Sequence, residues 1–228
     1  EGVERIEEGA FSDCKDLTGS LSLPSTLKYI GPNVLAYSNV HSEFRLPEGL
    51  EEYHGLGGNY TGTYYVPSSL KVMGTGLPTT LTGTLYFPQG LDYTHFDALM
   101  DGCQCTSAIF PEGMTNLPRL ANSELRGEIK LPSTVTRLGR MTFMNTKITK
   151  VIFPENLREL DDSGYLPEEG IFARSRLTGT IELPKKVSRI PRGCFMACTM
   201  LTGVVFPEGV LIIDDLAFAE CVNLNSIV

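Results

Sequence analysis

The sequence predicts an α/β solenoid, in which each unit of roughly 22 residues supplies one short parallel strand and places turn or short-helix segments on the opposite side. The first observation is a proline that recurs every 20 to 23 residues, with one longer interval between Pro154 and Pro184. The second is a set of apolar positions around that proline, and the third is a looser outer half. A unit of this length cannot bury its own apolar face, so the units must stack. The prolines are Pro24, Pro47, Pro67, Pro88, Pro111, Pro132, Pro154, Pro184 and Pro207.

Four positions in every unit define the strand and its surroundings. The residues three and one before the proline, and three and six after it, are apolar at 35 of 36 places, with Thr94 as the exception. Alternation before the proline is the period-2 pattern of a strand with one buried face. Proline has no N–H to give to a neighbouring strand, so it is predicted to end each strand.

The outer half of each unit is predicted to form a turn and a short helix. A large apolar residue recurs there, and a small hydroxyl or thiol residue follows three places later. Such side chains bond to nearby backbone groups, so we expect a ladder in which each one caps a bend. The pairs are Phe11 with Cys14, Leu35 with Ser38, Leu120 with Ser123, Phe143 with Thr146, Phe172 with Ser175, Phe195 with Cys198 and Phe218 with Cys221.

Several of these phrases resemble the BspA-like leucine-rich repeat family, among them "LSLPSTLKYIG", "IKLPSTVTRLG" and "GCFMACTMLTGVVFPEGV". The resemblance covers essentially the whole chain. It is specific for the repeat type, because proline after the strand and Phe-x-x-Cys in the outer half are both present. Units 47–67 and 88–111 depart most, since they lose the Phe-x-x-Cys segment. The resemblance implies a leucine-rich-repeat solenoid from a bacterial surface or secreted protein, a group that includes adhesins for host matrix proteins.

The repeat predicts one continuous domain over residues 1–228, with about ten units and both ends cut within a repeat. The opening Gly2-Val3 fits the stretch after a missing proline, and Ile227-Val228 falls part-way into a strand. No apolar run is long enough to span a bilayer, and no signal-like segment is present. We therefore expect a portion of a longer protein. Several units also carry an extra residue in a Leu-Thr-Gly type link.

Charge and motifs argue against several partners and cofactors. The net charge is −8 and the basic residues are scattered, whereas binding to a phosphate backbone needs concentrated Lys and Arg. No nucleophile elbow, phosphate loop or dinucleotide fingerprint occurs. We therefore expect no nucleic acid and no cofactor. His41, His54 and His95 occupy different positions of different units, which predicts no shared metal site.

The six cysteines are interpreted mainly as structural residues. Cys14, Cys198 and Cys221 hold the ladder position that Ser or Thr fills in other units. Cys198 and Cys221 are expected one rung apart, about 5 Å, so a disulfide between them stays open by distance alone. Cys103 and Cys105 are too close for the usual spacing of metal ligands.

Two groups of carboxylates could have a specific chemical role instead of being only exposed to solvent. Glu128 and Glu182 lie on strands two units apart, about 10 Å by rung spacing, which falls in the range of a glycosidase pair. The acidic insertion 161–169 occupies the long interval between Pro154 and Pro184 and offers oxygen ligands to calcium. Solvated strand acids and a surface loop are the favoured interpretations.

A ligand is expected on the strand face. In each strand the residue between two buried ones must point outward, and stacking aligns these residues in a column. Aromatic residues and arginine are enriched where binding energy concentrates, and solenoid strand faces are common binding surfaces. Cross-strand packing is the alternative reason for large residues there. The candidate binding residues are Arg45, Tyr65, Tyr86, Ile109 and Lys130.

These features favour a non-catalytic recognition or adhesion module that binds a protein or glycan through its strand face. A structural spacer that carries another domain is the alternative, and it predicts small polar residues along the outward column. A hydrolase is the third hypothesis, and it predicts a pocket with converging acids.

Overall fold

The computed structural model describes residues 2–18, 21–42, 45–60, 64–74, 81–89, 102–161 and 166–228, and it shows a parallel β-solenoid. Its strands, in chain order, are β1 (Arg5–Ile6), β2 (Tyr29–Ile30), β3 (His41–Ser42), β4 (Glu52–Tyr53), β5 (Asn59–Tyr60), β6 (Tyr64–Tyr65), β7 (Val72–Met73), β8 (Gly83–Tyr86) and β9 (Cys105–Ile109). They continue with β10 (Arg126–Lys130), β11 (Arg137–Leu138), β12 (Lys147–Ile152), β13 (Glu159–Leu160), β14 (Gly179–Glu182), β15 (Arg189–Ile190), β16 (Leu201–Val205), β17 (Ile212–Ile213) and β18 (Ser226–Ile227).

The strands form two columns along the stack, and every pairing is parallel. The pre-proline column lies on the N-terminal side of the prolines and contains the sheets β3-β5, β6-β8-β9, β10-β12 and β14-β16-β18. The post-proline column begins five residues after the proline and contains β1-β2-β4-β7, β11-β13 and β15-β17. The prediction of one strand in each unit is therefore wrong, because each coil can supply two. The post-proline strands are two residues long, too short to show alternation.

The α/β class and the short helices are also wrong. Within the described residues the helical content is the 3-10 helix Pro167–Glu169, and the outer halves of the units are turns. The residue two places after each large outer residue has a left-handed backbone, which no right-handed helix can contain. These residues are Asp13, Tyr37, Asn122, Asn145, Arg174, Ala197 and Glu220, with φ between 51° and 61°.

Bulges occur beside the Leu-Thr-Gly type links. Strand register shifts directly after Gly83, Gly127 and Gly179, the glycines of three such links. Each of these glycines has a positive φ, which glycine adopts without steric cost. The extra residue lies in the strand of the next coil that pairs with the glycine, and it is Thr106 in β9, Thr149 in β12 and Thr202 in β16.

The core is one continuous apolar cluster between the two columns and the outer turns. Inward residues of the pre-proline strands, such as Leu85 and Val204, are buried, as the proline-centred pattern predicts. In the outer half, the Phe143, Phe172, Phe195 and Phe218 rings stack in series, with centroids 5.6, 5.1 and 5.0 Å apart. Identical side chains at identical positions thus lie one above the next.

The predicted ladder of capping side chains is confirmed in part. The hydroxyls of Ser38, Ser123 and Thr146 donate to the carbonyl three residues earlier, at 2.8, 2.6 and 2.8 Å. The thiols of Cys198 and Cys221 donate instead to the preceding coil, to the carbonyls of Phe172 and Phe195, each at 3.1 Å. These three hydroxyls close a bend within one coil, whereas the two thiols join two coils; the Ser175 hydroxyl also reaches the next coil, at 3.4 Å from the Cys198 sulfur.

Candidate binding surface

The structure brings three of the five predicted binding residues together. The Tyr65 and Tyr86 rings stack with centroids 4.8 Å apart and planes 19° from parallel. The guanidinium carbon of Arg45 lies 4.9 Å from the centre of the Tyr65 ring, within cation–π range. Tyr65 pairs with Tyr86 because β6 and β8 are neighbouring strands in register. Arg45, Tyr65 and Tyr86 thus form a contiguous row on the strand face.

Ile109 continues this row, and Lys130 lies across a break. Ile109 is the register partner of Tyr86 and is 47% exposed, and Tyr65 is 39% exposed. Lys130 lies at the end of β10, which is not hydrogen-bonded to β9 and pairs with β12 instead. The register partner of Lys130 is Ile152. We call Arg45, Tyr65, Tyr86 and Ile109 the tyrosine patch.

The two carboxylates that suggested a glycosidase do not face each other across a pocket. Glu128 forms an ion pair with Lys150, at 2.8 Å between Nζ and Oε2. Glu182 lies in a different sheet, and within the pre-proline column β12 comes between the two strands in sequence. Within the described residues the geometry supplies no pair of converging acids at this position.

Two of the three described acids of the insertion, Asp161 and Glu169, form ion pairs. Arg137 bonds Asp161 at 2.7 Å, and Arg140 bonds Glu169 at 2.7 Å. Residues 162–165 of the insertion lie outside the described residues. No group of three or more candidate ligands that could hold a metal occurs in the part of the chain that the structure describes.

All six cysteines are free thiols, and five of them are buried. Cys103 and Cys105 both direct their sulfur atoms at the Leu81 carbonyl, at 3.6 and 3.5 Å. The hydrogen bond with Cys103, together with burial, raises the pKa of the Cys105 thiol. Burial raises the pKa of Cys198 to about 12 and also raises that of Cys194. These thiols are placed as core and capping groups.

Sequence reasoning missed a cleft in the pre-proline column between β12 and β14. These strands belong to different sheets, and a cavity of about 580 Å³ opens between them. Its lining includes Ile152 and Phe153 on one side and Ile181 and Leu183 on the other. The signal was the long interval between Pro154 and Pro184, which was interpreted as a surface loop, with a calcium site as the alternative.

A second row of interacting residues lies outside the predicted strand face. On the post-proline column, the Arg5 guanidinium carbon lies 3.9 Å from the centre of the Tyr29 ring. The Tyr29 ring is 5.4 Å from that of His54, whose Nε2 lies 3.6 Å from Glu52. His54 therefore belongs to a row of charged and aromatic side chains. His95 lies outside the described residues.

A family model for the BspA type leucine rich repeat region matches this chain in six copies, over residues 1–55, 79–167 and 121–228. The chain belongs to this family. The matched segments contain both the proline-centred strands and the outer turns with their Phe-x-x-Cys sequences. The BspA-type assignment thus accounts for the columns and for the capping ladder. No curated protein matches the chain.

Three solved structures are similar to this BspA-type chain over 99% of its length. A leucine-rich repeat protein from Bacteroides ovatus is 20% identical over 70% of its own chain, with a TM-score of 0.45. A leucine rich cell surface protein from Faecalibacterium prausnitzii is 17% identical over 76% of its chain, with a TM-score of 0.48. A leucine-rich repeat protein from Eubacterium ventriosum is 15% identical over 70% of its chain, with a TM-score of 0.44.

The described residues contain no helix long and apolar enough to cross a membrane.

Proposed function

We propose that this chain is a non-catalytic recognition module of a bacterial cell-surface or secreted protein, and that it binds a protein or glycan ligand through the tyrosine patch. The surface location rests on the resemblance to the BspA-like family. The main support for this binding site is that Tyr65 and Tyr86 are partly exposed and stacked, with Arg45 over one of the two rings.

The residue types of the patch suit a binding surface. Tyrosine offers a large contact area with few rotatable bonds, and arginine offers several hydrogen-bond donors. Ile109 adds an exposed apolar residue beside them. Because the rings already stack on each other, little side-chain freedom remains to be lost on binding, which lowers the entropic cost of association.

Lys130 extends the proposed surface past the end of the row. It is exposed and lies on the coil after Ile109, although its strand does not pair with β9. A basic residue at each end, Arg45 and Lys130, gives the surface positive flanks within an acidic chain. Such flanks favour a ligand with negative groups on either side of an apolar or sugar-ring centre.

A binding panel with a matched control tests the proposal. The chain is assayed against immobilised matrix proteins and glycans, and captured ligands are titrated against the Tyr65→Ser/Tyr86→Ser double variant. Tyr37 is 78% exposed and lies on an outer turn, so Tyr37→Ser serves as the control. We expect at least a ten-fold loss of affinity for the double variant, as for central interface aromatics, and wild-type affinity for the control.

Equal capture by both variants would reject the tyrosine patch. Absence of capture by the wild-type chain across the whole panel would favour the spacer function instead. Circular dichroism and a thermal melt of each variant establish that the strand face is intact. The changes are at partly exposed positions, so we expect melting within the range of ordinary surface substitutions.

A further inference from the structure

The strongest unassigned feature is the cleft between β12 and β14, defined by residues 149–156 and 177–186. At one end, the Thr178 N–H donates to the Thr149 carbonyl at 3.0 Å, so the two coils are joined there. At the other end, the Lys186 Nζ donates to the Asn156 side-chain oxygen at 2.8 Å. Between these two contacts the strands do not pair. The cleft is therefore a closed-ended window in the strand face.

The window exposes backbone groups that other coils use to join each other. In five coil-to-coil steps, the residue before the proline donates its N–H to a strand-end carbonyl of the next coil. These bonds are Val66 to Tyr86, Phe87 to Ile109, Leu131 to Ile152, Leu183 to Val205 and Phe206 to Val228, at 2.7 to 3.2 Å. At the window, the equivalent bond would join the Phe153 N–H to the Glu182 carbonyl. Both residues are described, and this bond is absent.

The register of the flanking sheets shows which backbone groups face the window. Successive residues of a parallel strand direct their N–H and C=O groups to opposite neighbours. The Ile152 carbonyl accepts the Leu131 N–H in the preceding coil, so the backbone N–H and C=O groups of Val151 and Phe153 point toward β14. The Leu183 N–H donates to the Val205 carbonyl in the next coil, so the backbone N–H and C=O groups of Thr180 and Glu182 point toward β12. Two strand edges thus face each other without a strand between them.

The cavity of about 580 Å³ within the window has both apolar and polar side chains in its lining, and we call it the hollow; its volume is within the range of small-ligand sites. Its lining includes Leu177 and Leu201, which are core residues 2% and 0% exposed, so the hollow reaches the core. An apolar side chain that entered it would replace water against apolar surface. We expect the hollow to hold one such side chain of leucine or phenylalanine size, because burial of apolar surface is the main favourable contribution to binding in a site of this kind.

The rim chemistry favours a polypeptide over a glycan. The rim carries charges of both signs, from Lys150, Lys185 and Lys186 and from Glu155 and Glu182. It therefore lacks the uniformly positive charge that would select a polyanion. Phe153 is the aromatic residue of the lining, and it packs edge-on against Phe172 at 5.9 Å. A sugar ring would therefore meet no flat aromatic platform, whereas a peptide backbone would meet strand edges.

We propose that this window is a second binding site, separate from the tyrosine patch, which takes an extended peptide segment with one large apolar side chain. The side chain enters the hollow between Ile152 and Ile181. The peptide backbone lies along the window and bonds to the free edge of β12 or β14. Addition of a strand to an unpaired edge, with a side-chain pocket for specificity, is a recurring mode of peptide recognition.

A displayed library of random linear peptides tests the site. The full chain is panned, enriched peptides are synthesised with a fluorophore, and affinities are measured by fluorescence polarisation. Ile152 and Val205 are both half-buried and hold the outward position of their strands, but only Ile152 lines the hollow. We expect Ile152→Asn to weaken binding at least ten-fold and Val205→Asn to leave it unchanged. Replacement of the apolar residue of the peptide by alanine should abolish binding.

Hydrogen exchange of the wild-type chain provides a test that needs no variant. Addition of the enriched peptide should slow exchange of amides at Val151–Phe153 or Thr180–Glu182 and leave the tyrosine patch unchanged. The proposal is overturned if no peptide with a shared apolar residue is enriched, if Ile152→Asn and Val205→Asn bind equally, or if protection falls elsewhere. Sensitivity of the same peptides to Tyr65→Ser would place them on the tyrosine patch and would also reject the window.

Discussion

Glu112 accepts the backbone N–H of Ser133 at 3.0 Å and the Ser133 hydroxyl at 2.7 Å, although 21 positions separate the two residues. Both follow the proline of their unit, so the contact joins the turns of successive coils. Glu48 accepts the N–H and hydroxyl of Ser68 in the same way, at 3.2 and 3.1 Å. A Pro-Glu-Gly turn followed one unit later by a Pro-Ser turn therefore forms a repeated connection between coils.

This connection predicts how stability responds to acid. The Ser133 hydroxyl and N–H bond the ionised carboxylate and so lower the pKa of Glu112. A lowered pKa in the folded chain contributes stability above the ordinary carboxyl pKa and loses it as pH falls through the folded-state value. We expect the thermal midpoint of the Glu112→Gln variant to fall less on acidification than that of the wild type.

Glu208 offers the matched control for this measurement. It stands in the same Pro-Glu-Gly sequence, is exposed, and is hydrogen-bonded to no side chain among the described residues. Glu208→Gln should leave the acid dependence of the melt as it is in the wild type. An equal change in the two variants would mean that the contact with Ser133 has no part in acid stability.

The stacked phenylalanines are expected to carry a large share of the packing energy. Phe195 is fully buried between Phe172 and Phe218, with centroids 5.1 and 5.0 Å away. Phe195→Ala should lower the free energy of unfolding by about 3–5 kcal/mol, because it removes the ring and leaves a cavity. Urea denaturation measures the change.

Phe11 supplies the comparison, since it holds the same position in the first unit but is 47% exposed. Phe11→Ala should cost no more than about 1 kcal/mol, as for exposed substitutions. If the two variants lose equal stability, the stacked rings contribute nothing beyond an ordinary surface residue.

Two buried cysteines should respond differently to replacement by serine. The Cys198 thiol donates to the Phe172 carbonyl, and a serine there keeps a donor, so Cys198→Ser should change the free energy of unfolding by less than about 1 kcal/mol. The Cys194 thiol makes no hydrogen bond among the described residues, so Cys194→Ser buries an unpaired hydroxyl at a cost of about 1–3 kcal/mol. A larger loss of stability in Cys198→Ser than in Cys194→Ser would show that position 198 does not require a hydrogen-bond donor.

Thiol reactivity should separate the exposed cysteine from the buried ones. Cys14 is exposed, whereas burial raises the pKa of Cys198 to about 12 and so keeps it protonated near neutral pH. Since the thiolate is the reactive form, iodoacetamide should alkylate Cys14 first in the native chain. Mass spectrometry after alkylation reports the sites. Alkylation of Cys198 as rapid as that of Cys14 would contradict the buried ladder.

The proline-centred pattern was sufficient to predict which residues are buried in most coils. Leu27, Leu50, Val135 and Leu157, each three places after a proline, are fully buried. Stacking imposes the same environment on equivalent positions, so a periodic sequence reports it directly. The outer turns could not be separated from helices in this way. The left-handed backbone of residues such as Arg174 and Ala197 ends the turn, and the pattern of apolar residues in the sequence does not reveal it.

The tyrosine row could be predicted from the outward column, but the cleft could not. Alternation determines which side of a strand Tyr65 and Tyr86 face, and pairing then places them in contact. The long interval between Pro154 and Pro184 gives the length of an insertion, yet it does not determine whether flanking strands such as β12 and β14 remain paired. Their separation depends on backbone geometry that carries no residue signature.

Amide hydrogen exchange of the free chain tests the central claim most directly, namely that backbone bonds join successive coils within each sheet of the strand face and that such bonds are missing in the window between β12 and β14. The N–H groups of Leu131 and Leu183 bond to the next coil at 3.1 Å and should exchange slowly. Phe153, in the same position of its unit at the window, should exchange much faster. Exchange of Phe153 as slow as that of Leu131 and Leu183 would contradict the account.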